Sequence, residues 1–407
     1  MTRLDRLTER LDLKEFQLRA LLEVTRAINA NVERQALLDL FRDIVSNELG
    51  ITRLMLFERV EGWECVLSYG ASERDRAIDV EQAFGSFPDI RLIGPEQEQR
   101  MAGFDIAVPV FHNDRAIAFL LIGDIDDEEQ KMSPSVKHLN FIQTLTNIIM
   151  VALENKRIAE QALLRERDKR ELELAAEMQS MLVPKELPDE ELFRAAAWYL
   201  PHHQVGGDHY DIIERGDEKV LVIADVSGKG MAAALVMSNF QATLRALVQY
   251  SEDPLDELVH DLNDKVYQSA RGERFITLFI AQLNVRTGAM RFVNAGHNPP
   301  LLYDGRSVHE LKTGSIALGM MPKLPFLQVG EVSLSKGSTM LCYTDGLIEQ
   351  EDVHGTDLGT EPLVHALKDL HISGPAAVNE GIIATFEAHR STQPYLDDIA
   401  LLTCQLR

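Results

Sequence analysis

From Met150 to Leu182 the chain contains neither proline nor glycine, and the next helix breaker is Pro184. A run of that length with no breaker forms a long helix. It therefore splits the chain into an N-terminal and a C-terminal part. Charges of both signs alternate through ALENKRIAEQALLRERDKRELELAAEMQSML, while Val151, Ile158, Leu164, Leu174, Met178 and Met181 form an irregular apolar stripe. One reading is a solvated linker helix. The other, which the stripe favours, is a parallel coiled coil that joins two copies in a homodimer.

At 407 residues the chain is too long for one ordinary core, and an apolar fraction of 45% excludes wholesale disorder. Lys and Arg total 41 against 64 Asp and Glu, a formal charge of -23 and a pI near 4.9. Such a surface repels phosphate backbones and anionic lipid, so nucleic-acid and membrane-surface partners are not expected. Cys65, Cys342 and Cys404 lie far apart without a CxxC pair, which argues against a disulfide framework or structural zinc. The first residues, MTRLDRLTERLDLKEF, lack the apolar core of a signal peptide, and the longest apolar stretch, Ala116 to Ile122, is too short to span a bilayer. A soluble, cytoplasmic protein is expected.

Before the linker, Leu18, Leu21, Leu22, Val24 and Ile28, then Leu37 to Val45, repeat at helical spacing. Strands are expected over 52–57, 64–68, 106–111 and 116–122, followed by a helix from Ser135. After Pro184 the expected strands are 219–225, 275–283, 289–295, 339–344 and 399–406. The expected helices are 230–250, 254–269, 361–370 and 375–390. Short turns at Arg286 to Gly288 and at Asp304-Gly305 favour antiparallel pairing within an α+β fold.

Acidic residues at the ends of these strands carry the chemistry. Asp208 stands in VGGDHYD, Asp225 in ADVSGKG, Asp345 in YTDGL, and Asp397-Asp398 precede the last strand. Any one Asp-Gly is an ordinary turn. Four acidic sites, each where an apolar strand meets a turn or a glycine, supply the hard oxygen ligands that Mg²⁺ or Mn²⁺ requires. SGKG is not a phosphate loop, because GxxxxGK[ST] is absent.

VGGDHYD, ADVSGKGMAAAL, FITLF, NAGHNPPLL, YTDGLIE and DDIALL, in this order after EMQSMLVP, resemble the SpoIIE-like branch of the PPM/PP2C metal-dependent protein phosphatases. The N-terminal part resembles a GAF domain. These resemblances divide the chain into a helical lead-in (1–15), a GAF-like α/β sensor domain (16–155), a helical linker (156–184) and a phosphatase domain (185–407). The last is expected to be an αββα sandwich of two antiparallel sheets. They further imply two Mn²⁺ or Mg²⁺ ions bridged by Asp225, with the Val226 carbonyl as a further ligand. Asp345 and Asp397 complete one metal position, Asp208 acts from the other side, and Asp398 is a secondary member of its pair. Lys229 is a candidate contact for substrate phosphate. His297 is expected to be structural, with Thr277 and Asn294 supporting the sheet. His209 and Ala400 depart from the family pattern, where an aromatic residue and a threonine are common, and no phosphate-clamping arginine is evident.

The activity so implied is hydrolysis of phosphoserine or phosphothreonine on a small protein, a STAS-type anti-sigma-factor antagonist. The attacking group is hydroxide held between the metals, and regulation comes through the linker from an unidentified GAF ligand or regulator. The alternatives are a degenerate phosphatase serving as a phosphoprotein-binding scaffold, which the complete carboxylate set disfavours, and a cyclase, for which no phosphate-binding loop is found.

Overall fold

The computed structural model describes residues 3–72, 75, 78–84, 89–93, 104–123, 134–202, 204–251 and 253–407. The first two residues of the expected lead-in lie outside them. The chain separates into two compact units, Met1–Glu166 and Arg167–Arg407.

In the first unit, α1 (Arg3–Asn29) and α2 (Arg34–Asp43) precede β1 (Arg53–Arg59) and β2 (Trp63–Tyr69). The lead-in is thus the first half of a single helix. A short α3 (Val80–Phe84), β3 (Arg91–Leu92), β4 (Ile106–His112) and β5 (Arg115–Gly123) follow. The strands pair antiparallel in the order β2-β1-β5-β4-β3. Successive side chains of a strand point to opposite faces, and β1 and β5 are apolar on both. Leu54, Leu56, Leu120 and Ile122 pack with Leu38, Phe41, Ile142 and Leu145 of the helices. Met55, Phe57, Phe119 and Leu121 build a second, smaller core with Val80 and Phe104.

The expected long helix is α4 (Pro134–Ser180), about 70 Å at 1.5 Å per residue. Leu163, Leu164, Leu172 and Leu174 on it are exposed.

The second unit opens with β6 (Phe193–Leu200), β7 (His209–Arg215) and β8 (Glu218–Val226). Next come α5 (Met231–Tyr250), α6 (Leu255–Ala270), β9 (Ile276–Asn284) and β10 (Ala289–Ala295). Short strands β11 (Leu301–Tyr303), β12 (Val308–Glu310), β13 (Gly314–Ser315) and β14 (Gly330–Ser333) lead to β15 (Thr339–Tyr343). The one-turn α7 (Asp345–Ile348), α8 (Glu361–Leu370), α9 (Pro375–Arg390) and β16 (Ile399–Leu406) complete it.

One sheet has the order β13-β10-β9-β8-β7 with β14 also on β10, and the other β12-β11-β15-β16-β6. Alternation along the strands produces four layers. Val220, Val222 and Ala224 of β8 meet Met237, Phe240 and Leu244 of α5. Leu221 and Ile223 face Met340, Cys342, Ala400 and Leu402 across the inter-sheet core. Leu341, Tyr343 and Leu401 pack under α8 and α9 with Leu367, Val378 and Phe386. This is the expected αββα sandwich, antiparallel except where Asn294 and Ala295 pair in parallel with Gly314 and Ser315. Each fully buried aliphatic side chain contributes about 1.5–3 kcal/mol, so both sheet registers are strongly specified. Among the described residues α5 alone has the length and hydropathy to cross a membrane. Its apolar face, from Ala233 to Val248, is the one buried on the sheet. Cys342 and Cys404 are free buried thiols between the sheets.

Candidate metal centre

Asp208 immediately precedes β7, and Asp225 is the penultimate residue of β8. Because β7 and β8 pair His209 with Ala224, one further step brings Asp208 and Asp225 side by side. Asp345 opens α7 directly after β15, and Asp397-Asp398 lead into β16. The two sheets thus deliver their carboxylates to a common edge. Thr344 joins the halves: its hydroxyl donates to Asp208 Oδ2 at 2.7 Å and accepts from the Ala400 amide at 2.8 Å.

The electrostatics record that convergence. Asp208 is only 3% exposed, and burial followed by the charge of Asp225 pushes its pKa well above the usual carboxylate range. Asp225 is raised to about 7, by burial first and then by Asp345, with Asp397 and Asp398 adding to it. Asp345 is raised by burial and Asp397, with Lys229 opposing. Like charges drawn together in a partly dry site favour protonation or a cation. The donor set is all oxygen, from separate elements, as Mg²⁺ or Mn²⁺ prefers. Among the described residues no three His, Cys, Asp or Glu side chains stand close enough to grip an ion as they are. Thr344 instead holds Asp208, Lys229 holds Asp397, and backbone amides hold Asp398.

The Asp397-Asp398 pair divides its work. Both oxygens of Asp398 are engaged, Oδ1 by the His202 amide at 2.7 Å and Oδ2 by the Gly207 amide at 2.6 Å. Asp398 therefore clamps the loop that carries Asp208. Asp397 is more open, and its Oδ2 pairs with Lys229 Nζ at 2.8 Å. Lys229 also donates to the Leu396 carbonyl, so it lies among the carboxylates rather than reaching outward from its helix. The turn before α5 needs glycine at 228 (φ +84), where any Cβ would also strike Arg274, whose guanidinium donates to the Ser227 carbonyl. The Val226 carbonyl lies 3.0 Å from a Cβ built on Gly207, so it faces the same loop.

His297 fits its structural expectation. Nδ1 lies 2.9 Å from the Thr277 hydroxyl, the backbone amide donates to Asn294 Oδ1, and burial lowers the ring pKa to about 4, so it is neutral. Asn294 also donates to the Leu311 carbonyl. His209, the departure beside Asp208, is buried, with its Nε2 3.9 Å from Asp211 Oδ2. Asp211 is fully buried and held by a bidentate Arg245 at 2.7 and 2.8 Å.

Sequence reasoning missed several residues. Gln179, in the last turn of α4, donates to the Gly206 carbonyl at 2.6 Å and accepts from the Gly206 amide at 3.0 Å. The helix end is thus tied to the loop two residues before Asp208. Thr344 and Glu349 were quoted only as parts of a motif, yet Thr344 bonds Asp208 and Glu349 lies near enough to Asp345 for its pKa to rise, chiefly by burial. Tyr199 on β6 had no motif to mark it. A groove of about 530 Å³ between α8 and α9 shares no residue with the cluster.

Residues 215–407 match the sequence model of the family described as Stage II sporulation protein E (SpoIIE). Phosphoserine phosphatase RsbU of Bacillus subtilis (strain 168) is 30% identical over 189 residues, covering 46% of this chain and 56% of the relative. Phosphoserine phosphatase RsbP of the same organism is 24% identical over 235 residues, 56% of each. The chain spans about half the length of these curated relatives. The solved SiaA-PP2C domain of Pseudomonas aeruginosa aligns over all of its length and 60% of this chain, at 22% identity and a TM-score of 0.52. Within the C-terminal unit, residues 215–407 are thus similar to the SpoIIE family, and the unit has the PP2C fold.

Proposed function

We propose that the chain is a protein serine/threonine phosphatase dependent on two Mn²⁺ or Mg²⁺ ions. The observation that carries this reading is the gathering of Asp208, Asp225 and Asp345, each with a raised pKa, at the shared edge of two sheets. Asp225 and the Val226 carbonyl, with Asp345, Asp397 and Asp208, would hold the ions. Asp398 shapes the Asp208 loop. Bound divalent ions supply an activated water and offset charge on the phosphoryl oxygens. Lys229, paired with Asp397 at 2.8 Å, would be the cation nearest the cluster that could also meet a substrate phosphate.

The substrate in this reading is a phosphoserine or phosphothreonine on a STAS-type regulatory protein; the names of the two curated relatives, both phosphoserine phosphatases, support the phosphoserine alone. The five-stranded antiparallel sheet of the first unit, with α1, α2 and α4 on one face and the short α3 on the other, supports a GAF-like sensor. The exposed leucines of α4 support a coiled-coil homodimer as its output. Release of phosphate from a phosphoserine peptide, with and without Mn²⁺, in the wild type and Asp225→Asn, tests the catalytic reading. Metal-independent release, or full activity in the variant, refutes it. Two residues inserted into the linker should change the turnover of the full chain, and unchanged turnover removes the regulatory role of α4.

A further inference from the structure

Tyr199 lies on β6, paired with Ala400 of β16, and its hydroxyl is a buried polar atom without a hydrogen-bond partner. That hydroxyl belongs to the carboxylate edge. A Cβ built on Gly206 would stand 2.3 Å from Tyr199 Oη and 2.7 Å from Asp398 Oδ2. Hydroxyl and carboxylate thus face one small volume beside the loop bearing Asp208, a volume that exists because residue 206 has no side chain. Burial first, then the charges of Asp398, Asp208 and Asp225, raises the phenol pKa far above its usual value, so the group is a donor. The neighbouring carboxylates accept from other donors, Asp398 from two backbone amides and Asp208 Oδ2 from Thr344, and none is bonded to the phenol. Burying an unpaired hydroxyl is destabilising, and a native structure retains one where it has a use.

We propose that Tyr199 is a positioning residue of the cation site, its hydroxyl donating to the hydration shell of a divalent cation held by Asp208 and Asp225. This rests on the cation-binding reading of the cluster and adds to it a donor from a different strand. Outer-shell hydrogen bonds of this type commonly tune metal affinity.

The experiment uses the full chain with Tyr199→Phe, which keeps the ring and removes only the oxygen. Mn²⁺ binding is measured by titration calorimetry, and thermal unfolding is followed in chelator. The expected result is a Kd for Mn²⁺ raised about five- to tenfold (up to about 1.4 kcal/mol) with a metal-free Tm unchanged or higher, since an orphaned polar atom has been deleted. An unchanged Kd overturns the inference while leaving the cation reading intact. A lowered metal-free Tm also overturns it, because the hydroxyl then has a partner within the fold. A wild type that binds no Mn²⁺ overturns the inference and the cation reading together.

Discussion

Replacing Arg245 with methionine isolates one buried charge. Asp211 has no exposed surface, and both its oxygens take hydrogen bonds from the Arg245 guanidinium. Burial by itself would raise the Asp211 pKa, but the neighbouring His209 ring and Arg245 more than reverse this and hold it below the ordinary value. Removing one partner of a buried pair typically costs about 3–5 kcal/mol. Because the Arg245 side chain is 47% exposed, water can enter, and the lower end, about 3 kcal/mol, applies. The second unit runs from Arg167 to Arg407, a size at which 1 kcal/mol shifts Tm by about 2–4 °C. Arg245→Met should therefore lower Tm by about 6–12 °C at pH 7, measured by differential scanning calorimetry in chelator. Adding Asp211→Asn removes the stranded charge and should restore part of the loss. The pH dependence has a fixed sign. With the folded pKa depressed, the unfolded chain binds the proton first as pH falls. The pair's contribution is complete above the unfolded value of about 3.9 and is lost as pH falls through the lower folded value. The gap between wild type and Arg245→Met should be full at pH 7 and close below about pH 4. A Tm within 2 °C of wild type, or no recovery in the double variant, would refute the claim that Arg245 offsets the buried Asp211 charge.

Three further outcomes follow from the same geometry. Asp225 has a folded pKa of about 7, above its unfolded value, so the metal-free protein binds the extra proton between about pH 4 and 7. Its contribution is favourable at low pH and is lost as pH rises through 7. The metal-free Tm difference between Asp225→Asn and wild type should therefore widen from pH 5 to pH 8 and shrink with added Mn²⁺, as urea or thermal melts will register. Gln179→Ala removes both hydrogen bonds to Gly206; Mn²⁺ affinity should fall several-fold with unchanged far-UV circular dichroism, and an unaltered affinity would show that the helix end does not organise the Asp208 loop. Gly346→Ala places a Cβ 2.1 Å from the Asp398 carbonyl and 3.0 Å from the Asp397 Cβ. Since backbone cannot rotate away, a loss of about 1–3 kcal/mol or more is expected, and wild-type stability would contradict the close approach.

The sequence carried the repeating elements well because their signals are local. Strands 289–295 and 399–406 and helices 361–370 and 375–390 have the expected bounds, each being a periodic apolar run closed by a turn or a glycine. β7 was not recognised: its VGGDHYD start reads as a loop, and Asp211 occupies a position where an apolar residue is expected. Arg245, 34 residues away, together with the His209 ring and the Ile212 amide, makes that carboxylate acceptable in the interior. β11 to β14 are too short to show any period.

The metal-centre candidates were legible as residue types at strand ends, and the family motifs assigned them provisional roles. Their division of labour was not legible. Asp397 and Asp398 are adjacent and chemically identical, yet one faces Lys229 while the other is consumed by two amides. That difference arises from alternation at the start of β16 and from the path of the loop between β6 and β7. The sequence by itself determined that this chain has a long unbroken helix, two units and a set of strand-end carboxylates. Tertiary structure alone decided that Thr344 meets Asp208, that Gln179 ties to Gly206, and that Tyr199 lies beside the same loop. Hydrophobic periodicity is written within a few neighbouring residues, whereas a hydrogen bond between residue 344 and residue 208 exists only once two sheets have packed.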